Sequence, residues 1–344
     1  MALYQKIEPY NSGYLTVSNA PYHKIFYEEY GNPKGEILFL FHGGPGQAPS
    51  AQDARFFNPQ KFRIIIHHQR GCGKSHPLFS IKENTTYHLL DDALKLLRHL
   101  EIEEKIHLFG GSWGSFLCLA FAIENPHLVK SLTLRAIMLC RNKDLYDLYQ
   151  RDVLKESRRL YAGAAFYYPN EWEKFVNFIP ENEHENILAA YHKRIHNLDE
   201  SQKEIRYQAA KHWFIWESTI STLKTPSRLE IEKRIRDKKE EMWNYPILAS
   251  HYFLNGCFVG KDYALSDNFI LENIKKIAAL EINIVQGRYD MATPRNQADE
   301  LIEALNHERK NLGLENINVC FTNSGHDAKD EENKKALMEI MDEL

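Results

Sequence analysis

Apolar positions along the chain follow two rhythms. Short and almost unbroken apolar runs occupy Glu36-Ile-Leu-Phe-Leu-Phe41, Phe62-Arg-Ile-Ile-Ile66, Lys105-Ile-His-Leu-Phe109, Ser131-Leu-Thr-Leu-Arg-Ala-Ile137, Ile282-Asn-Ile-Val-Gln286 and Ile317-Asn-Val-Cys-Phe321. Runs of that length, apolar at successive positions, are what a strand needs when both faces of its sheet are covered. Nearer the N-terminus, between Tyr14 and Gly31, Leu15-Thr-Val17 and Lys24-Ile-Phe-Tyr27 predict two antiparallel strands that open the sheet. The second rhythm is helical. It runs over Thr86 to Leu100, with Thr85 or Thr86 as N-cap, over Phe116 to Ile123, over Pro294 to His307 and over Asp330 to Glu343. Strands alternating with helices predict an α/β fold, a mostly parallel sheet flanked by helices.

The alternation stops between Arg141 and Phe258. That stretch reads as helical throughout, rich in charge and in aromatics such as Trp172, Trp213, Trp216 and Trp243, with no buried-strand signal. It predicts a helical cap inserted into the fold. The expected division is a core domain made of residues 1–140 and 259–344, and a cap domain made of residues 141–258. Within the cap, acids and bases alternate from Arg228 to Glu241, which is the pattern of a solvated helix rather than a basic recognition helix.

A length of 344 residues allows a large core, and a net charge of −4 with both signs interspersed argues against a nucleic-acid partner. No apolar stretch approaches the roughly eighteen residues of a membrane span, and the first residues lack the apolar centre of a signal peptide. A soluble, cytoplasmic protein is expected. The five cysteines are odd in number and lack C-x-x-C spacing, as reduced thiols would be, and none is assigned a role. No metal or cofactor is expected. His192 and His196 lie four apart without a third ligand or an H-E-x-x-H pattern, and Gly73-Lys74-Ser75 lacks the glycine that a phosphate-binding loop needs where His68 stands.

The chemistry concentrates at Phe109-Gly-Gly-Ser-Trp-Gly-Ser115, a G-x-S-x-G stretch between a strand and a helix. Glycines at 110 and 114 permit a tight turn that lifts Ser112 above the sheet, so Ser112 is the candidate nucleophile. A serine hydroxyl needs a histidine to take its proton and an acid to fix that histidine's tautomer. Asp290 in Gly287-Arg-Tyr-Asp290 and His326 in Ser324-Gly-His326 follow the last two strands, in the order Ser, Asp, His of α/β-hydrolases. Asp327 is a competing acid, but as a sequence neighbour of His326 it would have to fold back within one loop. An oxyanion hole needs backbone N–H donors, which Gly43-Gly-Pro-Gly46 and the N–H of Trp113 can provide.

These residues resemble the proline iminopeptidase family of α/β-hydrolases. The likeness rests on His42-Gly-Gly-Pro-Gly46, Gln69-Arg-Gly-Cys-Gly73 with Ser75, Gly110-Gly-Ser-Trp-Gly-Ser115, Ala209-Ala-Lys-His-Trp213 with Trp216-Glu217, His251-Tyr-Phe253, Gly287-Arg-Tyr-Asp290 and Gly325-His326. The resemblance implies an α/β-hydrolase fold and a serine aminopeptidase that frees N-terminal proline from small peptides. It implies Ser112, Asp290 and His326 as the triad, and Gly44 with Trp113 as the oxyanion hole. It further implies Glu217 as the holder of the substrate's α-amino group and Phe253 as a wall of the proline pocket. The chain departs from the family pattern at Ala249, where a second amine-binding glutamate is expected, and at His68, Met138 and Ala292. An esterase or amidase with a non-prolyl substrate, or a non-catalytic binding protein on the same scaffold, are the alternative readings of these residues.

Overall fold

In the computed structural model, which describes residues 1–150, 163–237, 239–259 and 267–344 but not the side chains of 239–241, the sheet opens on an antiparallel hairpin. Its strands are β1 (Asn11–Asn19) and β2 (Tyr22–Gly31). There follow β3 (Glu36–Phe41), β4 (Phe62–His67), α1 (Thr86–His99), β5 (Ile106–Ser112), α2 (Trp113–Glu124) and β6 (Val129–Ile137). Next come α3 (Asn142–Tyr149), α4 (Ala164–Tyr167), α5 (Pro169–Asn177), α6 (Ile187–Ile195), α7 (Lys203–Ile220), α8 (Arg228–Asp237) and α9 (Lys239–Leu254). The last elements are α10 (Phe269–Glu272), β7 (Glu281–Gly287), α11 (Arg295–Asn311), β8 (Asn318–Thr322) and α12 (Glu331–Glu343). The eight strands stand in the order β1-β2-β4-β3-β5-β6-β7-β8, antiparallel as far as the β2–β4 pair and parallel beyond it.

Alternation along the central strands explains the apolar runs. In β3, Ile37, Phe39 and Phe41 enter one apolar cluster while Leu38 and Leu40 enter another on the opposite face. β4 does the same, with Ile65 on one side and Phe62, Ile64 and Ile66 on the other. One face is covered by α1 and α2, the other by α12 through Leu337, Met338 and Met341. Every residue of α2 from Trp113 to Ile123 is buried, so this helix is apolar all round rather than on one stripe.

Among the described residues, 142–258 contain helices and no strand. Their aromatics pack on one another, the rings of Phe175 and Tyr191 stacking at 4.4 Å and Trp172 meeting Trp216 at 5.1 Å, within the same apolar cluster that takes in α1 and α2. Helix α8 buries Ile231 and Ile235 and leaves most of its charges in water, as a solvated helix should. Of the stretch read as a cap, residues 151–162 and 238 lie outside the described residues, as do the side chains at the acidic end of the charged run. Arg141 ties the beginning of this stretch to α11, binding Asp144 at 2.8 Å and also Glu300. At its far end Thr86 of α1 donates its hydroxyl to the Cys257 carbonyl.

The expected side-chain cap of α1 is not made. Thr85 does occupy the N-cap position, as the pattern predicts, but its hydroxyl pairs with Nδ1 of His88, 2.8 Å away, rather than with a backbone N–H of the first turn. Among the described residues no helix is long and apolar enough to cross a membrane.

Candidate active site

The loops that follow the parallel strands at their C-terminal ends carry the candidate chemistry, as is general for open α/β sheets. Ser112 ends β5 and immediately precedes α2, with φ 58° and ψ −126°. A non-glycine residue in that region costs on the order of 1–3 kcal/mol, and the surroundings must hold it there. They do so by close backbone contact: a Cβ on Gly110 would stand 2.3 Å from the Gly114 carbonyl oxygen, and one on Gly114 would stand 2.1 Å from that of Phe41. The elbow therefore admits only glycine at both positions.

His326 follows β8, and Asp290 follows the neighbouring β7. Nδ1 of His326 lies 2.9 Å from Oδ2 and 3.0 Å from Oδ1 of Asp290. Asp290 is buried and also accepts from the N–H of Ala292 at 3.0 Å, the N–H of Thr293 at 2.8 Å and the Thr293 hydroxyl at 2.9 Å. Burial alone would raise the pKa of this carboxyl, but the adjacent His326, the Thr293 donors and the Arg135 charge outweigh it, and the group sits below its usual value. It is an anion facing an imidazole. Arg135 of β6 donates to the His326 carbonyl and so secures the loop itself. Asp327 takes the backbone N–H of Lys329 at 2.9 Å, a contact within its own turn.

The candidate backbone donors for an oxyanion are Trp113, next to Ser112 in the chain, and Gly44, which lines the same cleft. Trp113 is the first residue of α2, whose start carries no side-chain cap, so its N–H is one of the donors that a helix leaves unpaired. Gly44 has φ +132°, and a Cβ placed on it would lie 2.5 Å from the N of Gly46. Two side chains hold the Gly43–Gly46 loop to the elbow. His42 sets Nδ1 2.8 Å from the Gly43 carbonyl, while its Nε2 accepts the Gln69 N–H at 3.1 Å. The Gln69 amide then donates to the His42 carbonyl at 3.0 Å and accepts from the Trp113 indole at 3.0 Å. Gln69 thus bridges the two candidate halves of the oxyanion hole. The His42 imidazole is kept neutral by burial, its pKa lowered to about 3.

Ser112 lines a cleft of about 520 Å³ together with Gly43, Gly44, His326, Met138, Tyr149, Glu217, Tyr245 and Phe253. A volume of that size suits a small ligand. Glu217 of α7 is buried, and its partners are hydroxyls: Tyr149 donates to Oε1, and Tyr245 to Oε2 at 2.9 Å. Burial raises the pKa of its carboxyl, and the two phenols and the nearby His326 offset part of that rise. Phe253 packs against Tyr149 with ring centres 5.7 Å apart.

Sequence reasoning missed Tyr149 and Tyr245. Two helical tyrosines among the chain's 18 carry no local signature, and their convergence on Glu217 exists only once α3, α7 and α9 are packed. The departures from the family pattern fall in different places. Met138 and Ala292 line the cleft, Ala249 is wholly buried in the apolar core, and His68 accepts the Lys74 N–H at 3.2 Å beneath the β4 loop. Ser75 serves the same loop, donating to the His68 carbonyl at 2.6 Å, so Gly73-Lys74-Ser75 is a structural turn. The rings of His192 and His196 sit 4.0 Å apart, and among the described residues no group of three or more metal-ligating side chains is placed to hold an ion.

The layered sheet with a strained serine at the end of its central strand defines the α/β-hydrolase class, and the alpha/beta hydrolase fold family matches residues 36–316 of this chain. A proline iminopeptidase of Arabidopsis thaliana is 40% identical over 303 residues, covering 88% of this chain and 73% of that protein. The proline iminopeptidase of Neisseria gonorrhoeae is 40% identical over 302 residues, covering 88% of each. Among solved structures, a proline iminopeptidase-related protein from Thermus thermophilus superposes with a TM-score of 0.58 at 16% identity, covering 97% of this chain and 96% of the other, which speaks to the fold. The chain belongs to the proline iminopeptidase family of α/β-hydrolases.

Proposed function

We propose that the protein is a serine aminopeptidase that releases an N-terminal residue, proline favoured, from small peptides. The observation that carries this reading is Glu217: a buried carboxyl, partnered by neutral hydroxyls, in the same cleft as Ser112 and His326. A desolvated carboxylate without a cationic partner is costly, and the ammonium of a free N-terminus would complete it. The names of the curated relatives point the same way.

In this mechanism Glu217 holds the substrate's ammonium, Phe253 packs on the first side chain, and the scissile carbonyl lies over Ser112. His326 removes the Ser112 proton as Oγ attacks, and the N–H groups of Gly44 and Trp113 take the oxyanion. The imidazolium, stabilised by Asp290, passes the proton to the departing peptide amine and leaves an acyl-enzyme. A water then attacks with His326 again as base, freeing the residue and restoring Ser112. Residues 141–258 act as a cap domain over the core domain of 1–140 and 259–344, contributing Glu217, Tyr149, Tyr245 and Phe253 to the cleft. A cytoplasmic location fits five cysteines that are all free thiols.

An esterase or amidase without an amine requirement would have no use for the Glu217 carboxyl, and a pure binding protein would have none for a strained serine sharing a cleft with a histidine backed by a buried aspartate. The test compares kcat/KM for a prolyl arylamide, its N-acetyl derivative and a simple aryl ester. One charge-assisted hydrogen bond is worth about 1.5–3 kcal/mol, so the free amine should be preferred roughly tens-fold to a hundredfold over the acetylated form. Equal rates on the blocked and free substrates would overturn the reading.

A further inference from the structure

We propose that Tyr149 and Tyr245 make this site select a secondary over a primary N-terminal amine, by occupying half of the hydrogen-bond acceptor capacity of Glu217. The proposal rests on the reading of Glu217 as the partner of the substrate's ammonium. An ionised carboxylate offers about four acceptor sites, two on each oxygen. Tyr149 donates to Oε1 and Tyr245 to Oε2, so each oxygen has given up one site and keeps one. A protonated prolyl nitrogen carries two N–H bonds, and a primary ammonium carries three. The secondary amine therefore satisfies Glu217 and itself in full, while the primary amine brings one donor too many into a buried pocket.

The arrangement is held by packing rather than by flexible chains. Glu217, Tyr149 and Tyr245 come from α7, α3 and α9, and all three are buried. The Tyr149 ring stacks on Trp213 at 4.8 Å, which fixes the direction of its hydroxyl. Burial and the nearby carboxyl keep both phenols protonated far above neutral pH, so they remain donors wherever the enzyme works. One turn beyond Tyr245 on α9, Ala249 presents a buried methyl group that offers no further acceptor. The tyrosines are positioning residues: they leave Glu217 two open acceptors in the cleft that it lines together with Ser112.

The experiment measures kcat and KM for prolyl and alanyl arylamides with the unmutated protein, Tyr245→Phe, Tyr149→Phe and Glu217→Gln. An unmatched buried donor weakens binding by at least about fivefold, so each phenylalanine variant should lower the proline-to-alanine ratio of kcat/KM by about that factor or more. The change should come from a lower KM for the alanyl substrate, with its kcat held. Thermal melts establish that the variants are folded. Should either variant fail to fold, pyrrolidine and n-butylamine compared as competitive inhibitors of the unmutated protein give the same answer, and equal inhibition would overturn the proposal. An unchanged proline-to-alanine ratio in both phenylalanine variants, or an equal loss of kcat on both substrates, would also overturn it while leaving Glu217 as the ammonium partner. Glu217→Gln with KM unchanged for both substrates would instead remove that underlying reading.

Discussion

Replacing Asp290 by asparagine removes the charge behind His326 at nearly constant volume. The side-chain oxygen that remains can keep the N–H groups of Ala292 and Thr293, now 3.0 and 2.8 Å from Oδ1, so the turn after β7 should persist. The new amide nitrogen then replaces Oδ2, which lies 2.9 Å from Nδ1 of His326. An amide there donates, which forces the imidazole proton to Nε2, the atom that must accept from Ser112. The lost attraction between imidazolium and carboxylate is about 4 kcal/mol for charges roughly 4 Å apart at an effective dielectric near 20, or about three orders of magnitude in rate. With the tautomer also wrong, kcat should fall by about 10³–10⁴ while KM changes by less than about twofold. Steady-state kinetics on a prolyl arylamide read this directly, with a thermal melt to confirm folding. Asp327→Asn, which disturbs one contact within its own turn, should change kcat by less than about threefold. A large loss at Asp327 and a small one at Asp290 would refute the reasoning.

Further outcomes follow from buried groups outside the cleft. Arg70 is buried and binds Asp92 through Nε at 2.6 Å and Nη2 at 2.7 Å, so Asp92→Ala should destabilise the fold by about 3–5 kcal/mol in urea unfolding, through the unpaired guanidinium it leaves. His42 is lowered to about 3, and His196 and His251 to about 4, chiefly by burial. Because the unfolded chain binds these protons near pH 6.5 and the folded chain does not, stability is full above that pH and is lost as pH falls toward 4. Each group contributes up to about 1.4 kcal/mol per pH unit, and urea midpoints measured between pH 7 and pH 4.5 should fall steadily. A flat profile over that window would mean that the folded protein accepts the protons.

What could be read from the chain alone followed from how tightly local pattern and tertiary place are coupled. β3 matches its apolar run end to end, and β4 runs one residue past its own, because a strand covered on both faces must be apolar at every position. The positions of the candidate residues Ser112, Asp290 and His326 were legible because each stands at or just beyond the end of such a strand, so locating the strand locates the residue. The Tyr149 and Tyr245 contacts were hidden because they join helices 68 and 28 residues from Glu217. The role of Gln69 was hidden for the same reason: it was visible as part of a motif, but its bridge from His42 to Trp113 depends on the approach of two loops. Thr85 takes the N-cap position of α1 as the pattern predicts, and only the partner of its hydroxyl, His88, was not legible.

The central claim is that Ser112 attacks the substrate, and the most direct measurement is covalent labelling by a fluorophosphonate followed by peptide mapping, run beside prolyl arylamide hydrolysis on the unmutated protein and on Ser112→Ala. A single labelled peptide containing Ser112 is expected, and in the variant both loss of labelling and a fall in turnover of at least about three orders of magnitude with an unchanged melting temperature. Retained labelling and retained hydrolysis in a folded Ser112→Ala protein would contradict it.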